Sequence, residues 1–347
     1  MTRNSSNAGK YLNNLYQEFL RWLGRRPAMG GLPQEKPAPG SASSLKPAQP
    51  VESKVLLLVF DPFMDSLRRR KLSETMPWHP VSDLLSGFMA DITDTSTGLA
   101  RFKIVERIEV NEFSVKIDGF HYDPDSYLEV LQGAEPHVPA MADYQVILSR
   151  YDILQKVEKR LLDEVWLMAF PHAGFYESRM AGRNAFWCNA PALDSTPVSS
   201  RRFILMGFSF ERGVGEMLEA FGHRCESILT KLHEQRPPAE NLYQLFARYD
   251  VNFPGRAEVG TIHFAPNSQS DYDWGNPRLV VSRCDDWLRF PNFTGSTRQV
   301  SAVDWGGGDI RLHHRWWLNH LPRAPGQTVG IDNNWWSYLV DPDLVGT

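Results

Sequence analysis

Three short runs, VLLLVF at 55–60, VWLMAF at 165–170 and FILMGF at 203–208, are apolar at almost every position. A strand with one face in water alternates apolar and polar side chains. A strand without polar positions must be covered on both faces, and helices are the usual cover in a parallel sheet. The chain supplies them. DYQVILSRYDILQKVEKRLLDE, residues 143–164, has helical periodicity, with Asp143 placed as an N-cap, and it feeds into the second run. GVGEMLEAFGHRCESILTKLH follows the third run. RFKIVERIEV at 101–110 reads as a further strand. The expected fold is α/β, a mainly parallel sheet flanked by helices.

The ends of the chain have a different texture. KYLNNLYQEFLRWLG, 10–24, places Leu12, Leu15, Tyr16, Phe19, Trp22 and Leu23 on one helical stripe. The Pro-, Gly-, Ser- and Ala-rich stretch that follows cannot bury a core. The division expected is an amphipathic helix in 1–26, a tether in 27–53, an α/β core in 54–250, and an aromatic- and His-rich cap in 251–347. The N-terminal helix is expected to dock on its own domain, a second subunit or a partner. After residue 250 turns and aromatics dominate, and no linker separates this part from the core, so it reads as an irregular cap over the sheet.

Composition narrows the function classes. A net charge of -4 offers no basic surface for nucleic acid. No apolar run approaches the ~18 residues of a membrane span, and the opening residues lack the apolar core of a secretory signal. Three widely separated cysteines make neither a disulfide framework nor a zinc ribbon, which suits reduced thiols in a cytoplasmic protein. Eleven tryptophans, most of them after residue 160, favour an organic substrate held by aromatic surfaces.

In α/β sheets ligands bind outside the carboxyl ends of the strands. Asp61 and Asp65 follow the first strand; His172, Tyr176, Glu177 and Arg179 follow the second run; Ser209, Glu211 and Arg212 follow the third. The turn Gly207-Phe208-Ser209-Phe210-Glu211 resembles a nucleophile elbow, but Glu211 stands where that tight turn needs a small residue, which argues against Ser209 as a nucleophile. Gly213 and Gly215 do not complete a dinucleotide fingerprint, because Leu218 replaces the last glycine. They allow close backbone approach at a helix start, where Glu211 or Glu216 also suits the helix dipole.

Within the helix that follows, Glu216, Glu219, His223 and Glu226 form one row. They lie roughly opposite the apolar stripe of Leu218, Phe221, Cys225, Ile228, Leu229 and Leu232, which predicts a row facing water. Glu219 and His223, four apart, suit a shared metal or proton, but no known metal template is complete and a third ligand must come from elsewhere. DIRLHHRWWLNHLP, capped by Asp309, puts His313, Trp317 and His320 on one face. His313 and His320 are two turns apart, roughly 10.5 Å along the axis, so one rather than both suits a shared ion. His263, and Asp271 with Asp273, are further candidates.

The expectation is therefore an enzyme using carboxylate and histidine acid–base chemistry, with His172, Glu177, Glu211 and Glu216 as catalytic groups. Asp61, Tyr176, Arg179, Arg212 and Trp317 are the expected substrate contacts. Glu219, His223, His313 and His320 are the candidate ligands for a divalent metal ion. Hydrolysis of a glycan- or peptide-like substrate, with or without a metal, is the leading reading. The alternatives are a metal-independent lyase or cyclase with a Trp-lined apolar pocket, and a non-catalytic aromatic module that binds carbohydrate or peptide.

Overall fold

The structure, a computed structural model, describes residues 48–65, 67, 69–194 and 199–346. The expected N-terminal helix and most of the tether lie outside them. The end of the tether does not: strand β1 already begins at Val51.

Strand β1 (Val51–Phe60) is followed by a small hairpin, β2 (Phe63–Asp65) and β3 (Arg70–Lys71). Then come β4 (Ala100–Val110), β5 (Glu164–Ala169), β6 (Ser178–Ala181) and β7 (Phe203–Ser209). The central sheet has the order β4-β1-β5-β7-β6. Its first four strands are parallel, and β6 closes the edge antiparallel to β7. Burial explains the apolar runs: all six residues of β5 are buried, whereas edge strand β4 alternates.

Helix α1 (Val81–Thr95) connects β1 to β4. Helices α2 (Pro124–Leu131), α3 (Tyr144–Arg150) and α4 (Ile153–Glu158) lie between β4 and β5, and the long α5 (Val214–His233) follows β7. The single helix expected over 143–164 is divided in two, because Asp152 adopts a left-handed φ of 52° between α3 and α4. Aspartate tolerates that conformation better than most residues. Asp143 does cap α3, accepting hydrogen bonds from the Gln145 and Val146 amides. Phe88 of α1 packs against Phe102, Trp166, Phe208 and Phe221, joining two helices to three strands in one aromatic cluster.

The C-terminal part contains α6 (Leu242–Phe246), the hairpin β8 (Val280–Ser282) with β9 (Arg298–Val300), and α7 (Cys284–Trp287). It continues through α8 (Ile310–Asn319), the hairpin β10 (Arg323–Thr328) with β11 (Ile331–Asn334), and α9 (Trp335–Val340). One buried apolar cluster extends from Val55 to Val345 and includes Trp287, Trp305, Trp317, Trp335 and Trp336. Helix α8 lies against α1 and α5. Arg311 pairs with Asp91 at 2.6 Å, and a Cβ on Gly215 would stand 2.6 Å from Ile310. The close approach foreseen at Gly215 is thus to a neighbouring helix.

Under the sheet, Arg224 is fully buried and donates to Glu164 Oε1 at 2.5 Å and to the Leu339 carbonyl at 2.6 Å. Trp166 Nε1 donates to the same carboxylate oxygen at 2.7 Å. Removing one member leaves a buried charge without its partner. Arg224→Met is expected to lower stability by about 3–5 kcal/mol, read from the urea midpoint, and adding Glu164→Gln should recover part of the loss.

Two buried histidines make the fold acid-sensitive. Burial pushes His233 and His320 down to about 4, against the upward pull of the Leu229 and Trp316 carbonyls that their Nδ1 atoms contact. As pH falls below 6.5 the unfolded chain takes up these protons first, so stability is complete above that pH and declines towards pH 4. Denaturant titrations at pH 7, 6 and 5 should show this decline. His233→Phe, which keeps a ring against Trp335, should reduce the slope by up to ~1.4 kcal/mol per pH unit.

Candidate active site at the carboxyl edge of the sheet

A cavity of about 940 Å³ opens at the carboxyl ends of β5 and β7. Its walls come from the segment after β5, the turn after β7, the first turns of α5, and residues 263, 271 and 272 of the C-terminal part. His172, Tyr176, Glu177, Glu211, Arg212 and Glu216 all line it. So do Glu219 and His223, on the row expected to face water.

That row is buried. Glu219, His223 and Glu226 are 4%, 6% and 3% exposed. The C-terminal part covers them, and the closest approach is at Gly222. A Cβ there would lie 2.4 Å from Ile262 Cγ1, so only a glycine lets the 261–264 segment rest on α5. The contact brings His263 over the row. His263 Nε2 lies 2.8 Å from Glu219 Oε1 and 3.0 Å from His223 Nε2, and His223 Nε2 lies 3.9 Å from the same Glu219 oxygen. Three ligand atoms from three side chains therefore converge on one point.

Each imidazole has a carboxylate behind it. His223 Nδ1 is 2.9 Å from Glu226 Oε2, whose other oxygen accepts from the Ile262 amide at 3.0 Å. His263 Nδ1 lies 2.9 Å from Asp271 Oδ1. Tyr272 donates to Glu219 Oε1 at 2.7 Å. Burial opposes charge on His263, but Asp271 and Glu219 outweigh it and raise its pKa. Burial opposes charge on Glu219 too, but His263, His223 and the Tyr272 hydroxyl outweigh it and lower its pKa. These directions favour a protonated His263 beside an ionised Glu219. Ligand atoms around an ion at Zn–N distances of 2.0–2.1 Å and tetrahedral angles are ~3.4 Å apart. The separations of 2.8, 3.0 and 3.9 Å bracket that value.

Glu177 also lines the cavity and is held in place. Asn189 Nδ2 donates to Glu177 Oε2 at 2.7 Å; the Asn189 amide donates to Ser227 Oγ at 3.0 Å; and Ser227 Oγ donates to the His223 carbonyl at 2.9 Å. This chain of bonds ties Glu177 to the helix that carries Glu219 and His223. The charge of Glu177 also reaches Tyr272: burial, then Glu219, then Glu177 hold that phenol protonated. Three non-glycine residues of the cavity wall, His172, Asn189 and Tyr272, have left-handed φ of 63°, 53° and 59°. Such conformations cost about 1–3 kcal/mol each and gather at functional sites. Partial burial and Lys116 lower the His172 pKa, while Glu211 pulls it upward.

The other expected site residues have different work. Asp61 accepts from the Ser73 amide and hydroxyl at 2.9 and 2.6 Å, anchoring the turn after the small hairpin. Arg179 donates to the Pro191 carbonyl and lies over the rings of Tyr144 and Tyr176. Trp317 is core, with its indole N–H on the Gly260 carbonyl at 3.0 Å. None of the three lines the cavity. Glu216 lines it but also caps its own helix, accepting from the Gly213 amide at 3.0 Å. His313 is stacked on Trp274 within the core, and His320 sits near Cys284 and Asp285. That second group has its carboxylate already neutralised by Arg298, at 2.6 Å. The third ligand that the row lacked is His263. Its sequence signal was faint, since nothing local says that residue 263 folds back onto residue 222.

No protein-family model, curated protein or solved structure matches the chain.

The tightness of the Gly222 contact can be tested. Gly222→Ala has no backbone penalty in a helix, but its methyl group must displace Ile262. The variant should lose about 1–3 kcal/mol of stability, read from the urea midpoint, while the far-UV circular dichroism stays unchanged.

Proposed function

We propose that the protein is a metal-assisted hydrolase that cleaves a carbonyl-containing bond in an organic substrate. The observation that carries this reading is the convergence of Glu219 Oε1, His223 Nε2 and His263 Nε2 on the cavity wall, with a carboxylate behind each imidazole. Two histidines and a glutamate, oriented by outer carboxylates, form a donor set suited to a catalytic divalent ion with an open position. Such an ion supplies a Lewis acid for a carbonyl and acidifies water beside it.

The side chains do the rest. Glu177, held by Asn189, takes the proton of the attacking water and returns it to the leaving group. Tyr272 keeps its proton and donates it in a hydrogen bond to Glu219 Oε1, which steadies that carboxylate at the edge of the cluster. Glu226 and Asp271 keep the two imidazoles turned with Nε2 towards the cavity. His172 and Glu211 lie farther along the wall, where they can contact the substrate. An apolar, closed cavity would have favoured a lyase or cyclase, and a shallow aromatic surface a binding module. A wall that buries a histidine–carboxylate cluster favours hydrolysis over both.

Metal analysis of purified protein tests the proposal directly. One equivalent of zinc or a similar ion is expected, lost on chelation together with hydrolysis of acetyl esters and anilides, and regained on adding the ion back. His223→Ala and His263→Ala should lose the metal. Glu177→Gln should keep it while turnover falls about 10²–10⁴-fold. A protein with no affinity for divalent ions would sink the proposal. Recovery of iron with oxygen-dependent turnover would move the site to redox chemistry, since the same donor set suits that metal.

A further inference from the structure

We infer that the substrate is an acylated glycan carrying no negative charge, and that Trp187 supports one of its sugar rings. The inference rests on the hydrolase reading for the bond that is broken, but not for the surface that binds.

Charge comes first. Six carboxylates line the cavity, and Arg212 is the guanidinium among them. A bound divalent ion and Arg212 together offset only half of that charge. Such a wall repels phosphate, sulfate and uronate groups, and its many acceptor oxygens favour a ligand rich in O–H or N–H donors. Shape comes second. Trp187 and Tyr272 line the cavity and are 41% and 51% exposed, with the less exposed Trp78, Phe175 and Tyr176 beside them. A pyranose ring has a flat face of C–H groups and a rim of hydroxyls. Exposed aromatic faces next to carboxylate acceptors match both parts. A peptide bound as an added strand would instead need a free strand edge. Here the wall consists of loops, strand ends and a helix, and edge strand β6 does not contribute to it.

The cluster narrows the bond. An acetal has no carbonyl for a Lewis acid to polarise, and its cleavage uses two carboxyl groups flanking the glycosidic oxygen. An N-acyl or O-acyl substituent on a sugar does have one. Water adds to the acyl carbon and gives its proton to Glu177. The C–N or C–O bond then breaks, and Glu177 returns the proton to the departing nitrogen or oxygen. The products are a free carboxylic acid and a sugar amine or hydroxyl, with no change of oxidation state.

The test uses full-length protein loaded with Zn²⁺ and carrying Glu177→Gln, so that binding is read without turnover. Calorimetry with a hexamer of N-acetylglucosamine and with an O-acetylated xylan oligomer is expected to show binding to at least one. Binding should weaken tenfold or more when Trp187→Ala is added, and Trp187→Phe should restore most of it, which separates the surface from the fold. Wild-type protein should release acetate from the oligomer that binds. The inference is overturned if the loaded protein binds neither acylated oligomer, if it binds a galacturonate oligomer as tightly, or if Trp187→Ala binds unchanged. Metal content is measured on the same samples. A metal-free protein that still binds glycan through Trp187 would overturn the hydrolase reading and support the glycan surface.

Discussion

Gly222 has no side chain, and this is what allows the 261–264 segment to lie directly on helix α5. The site depends on that contact. It converts a polar helix face into a protein interior, and it sets His263 within 3.0 Å of His223. Burying three ionisable side chains of one helix is costly unless each finds a partner, because the effective penalty is several kcal/mol per ion. The partners are supplied from the covering segment: His263 for Glu219, the Ile262 amide for Glu226, and Asp271 as the outer carboxylate of His263. The fold thus closes a charge cluster between a core helix and a later loop, with His263 standing 40 residues after His223.

The same helix shows two ways to bury charge. At Arg224 the pair with Glu164 is closed by a carbonyl and an indole, and it faces the sheet with no access to solvent. At Glu219 and His223 the cluster borders a cavity, and the atoms that pair there also lie close around one point. A purely structural network gains most from complete pairing. A network that meets at an accessible wall, with strained backbone at His172, Asn189 and Tyr272 around it, has geometry maintained at a cost to stability.

The sheet was legible because its physics is local. Uniformly apolar runs demand cover on both faces, and β1, β5 and β7 are those runs. The strand-end rule then led to His172, Tyr176, Glu177, Ser209, Glu211 and Arg212, which line the cavity, and to Asp61, Asp65 and Arg179, which do not. The burial of Glu219 and His223 was not legible. Helical periodicity separates the most apolar face from the rest, but it cannot tell a wet face from one covered later by a distant loop. The charges on α5 argued for water, and the glycine one residue before His223, which argued for close packing, has no weight in a periodicity reading. Asn189 escaped for a similar reason: it holds Glu177 through a tertiary hydrogen bond, and no spacing encodes that.

The division of labour follows from the two kinds of structure that meet at the cavity. Parallel strands are rigid, and the segments that leave their ends carry Glu177 and part of the aromatic wall into the cavity. The irregular C-terminal part turns tightly enough to deliver His263, Asp271 and Tyr272 from one short stretch. A proposed ion held between them would couple the two, since one ligand comes from the covering segment and two from the helix that packs on the sheet. Loss of the ion would therefore loosen the cap as well as the chemistry, and the site and the docking of the C-terminal part would be one equilibrium rather than two.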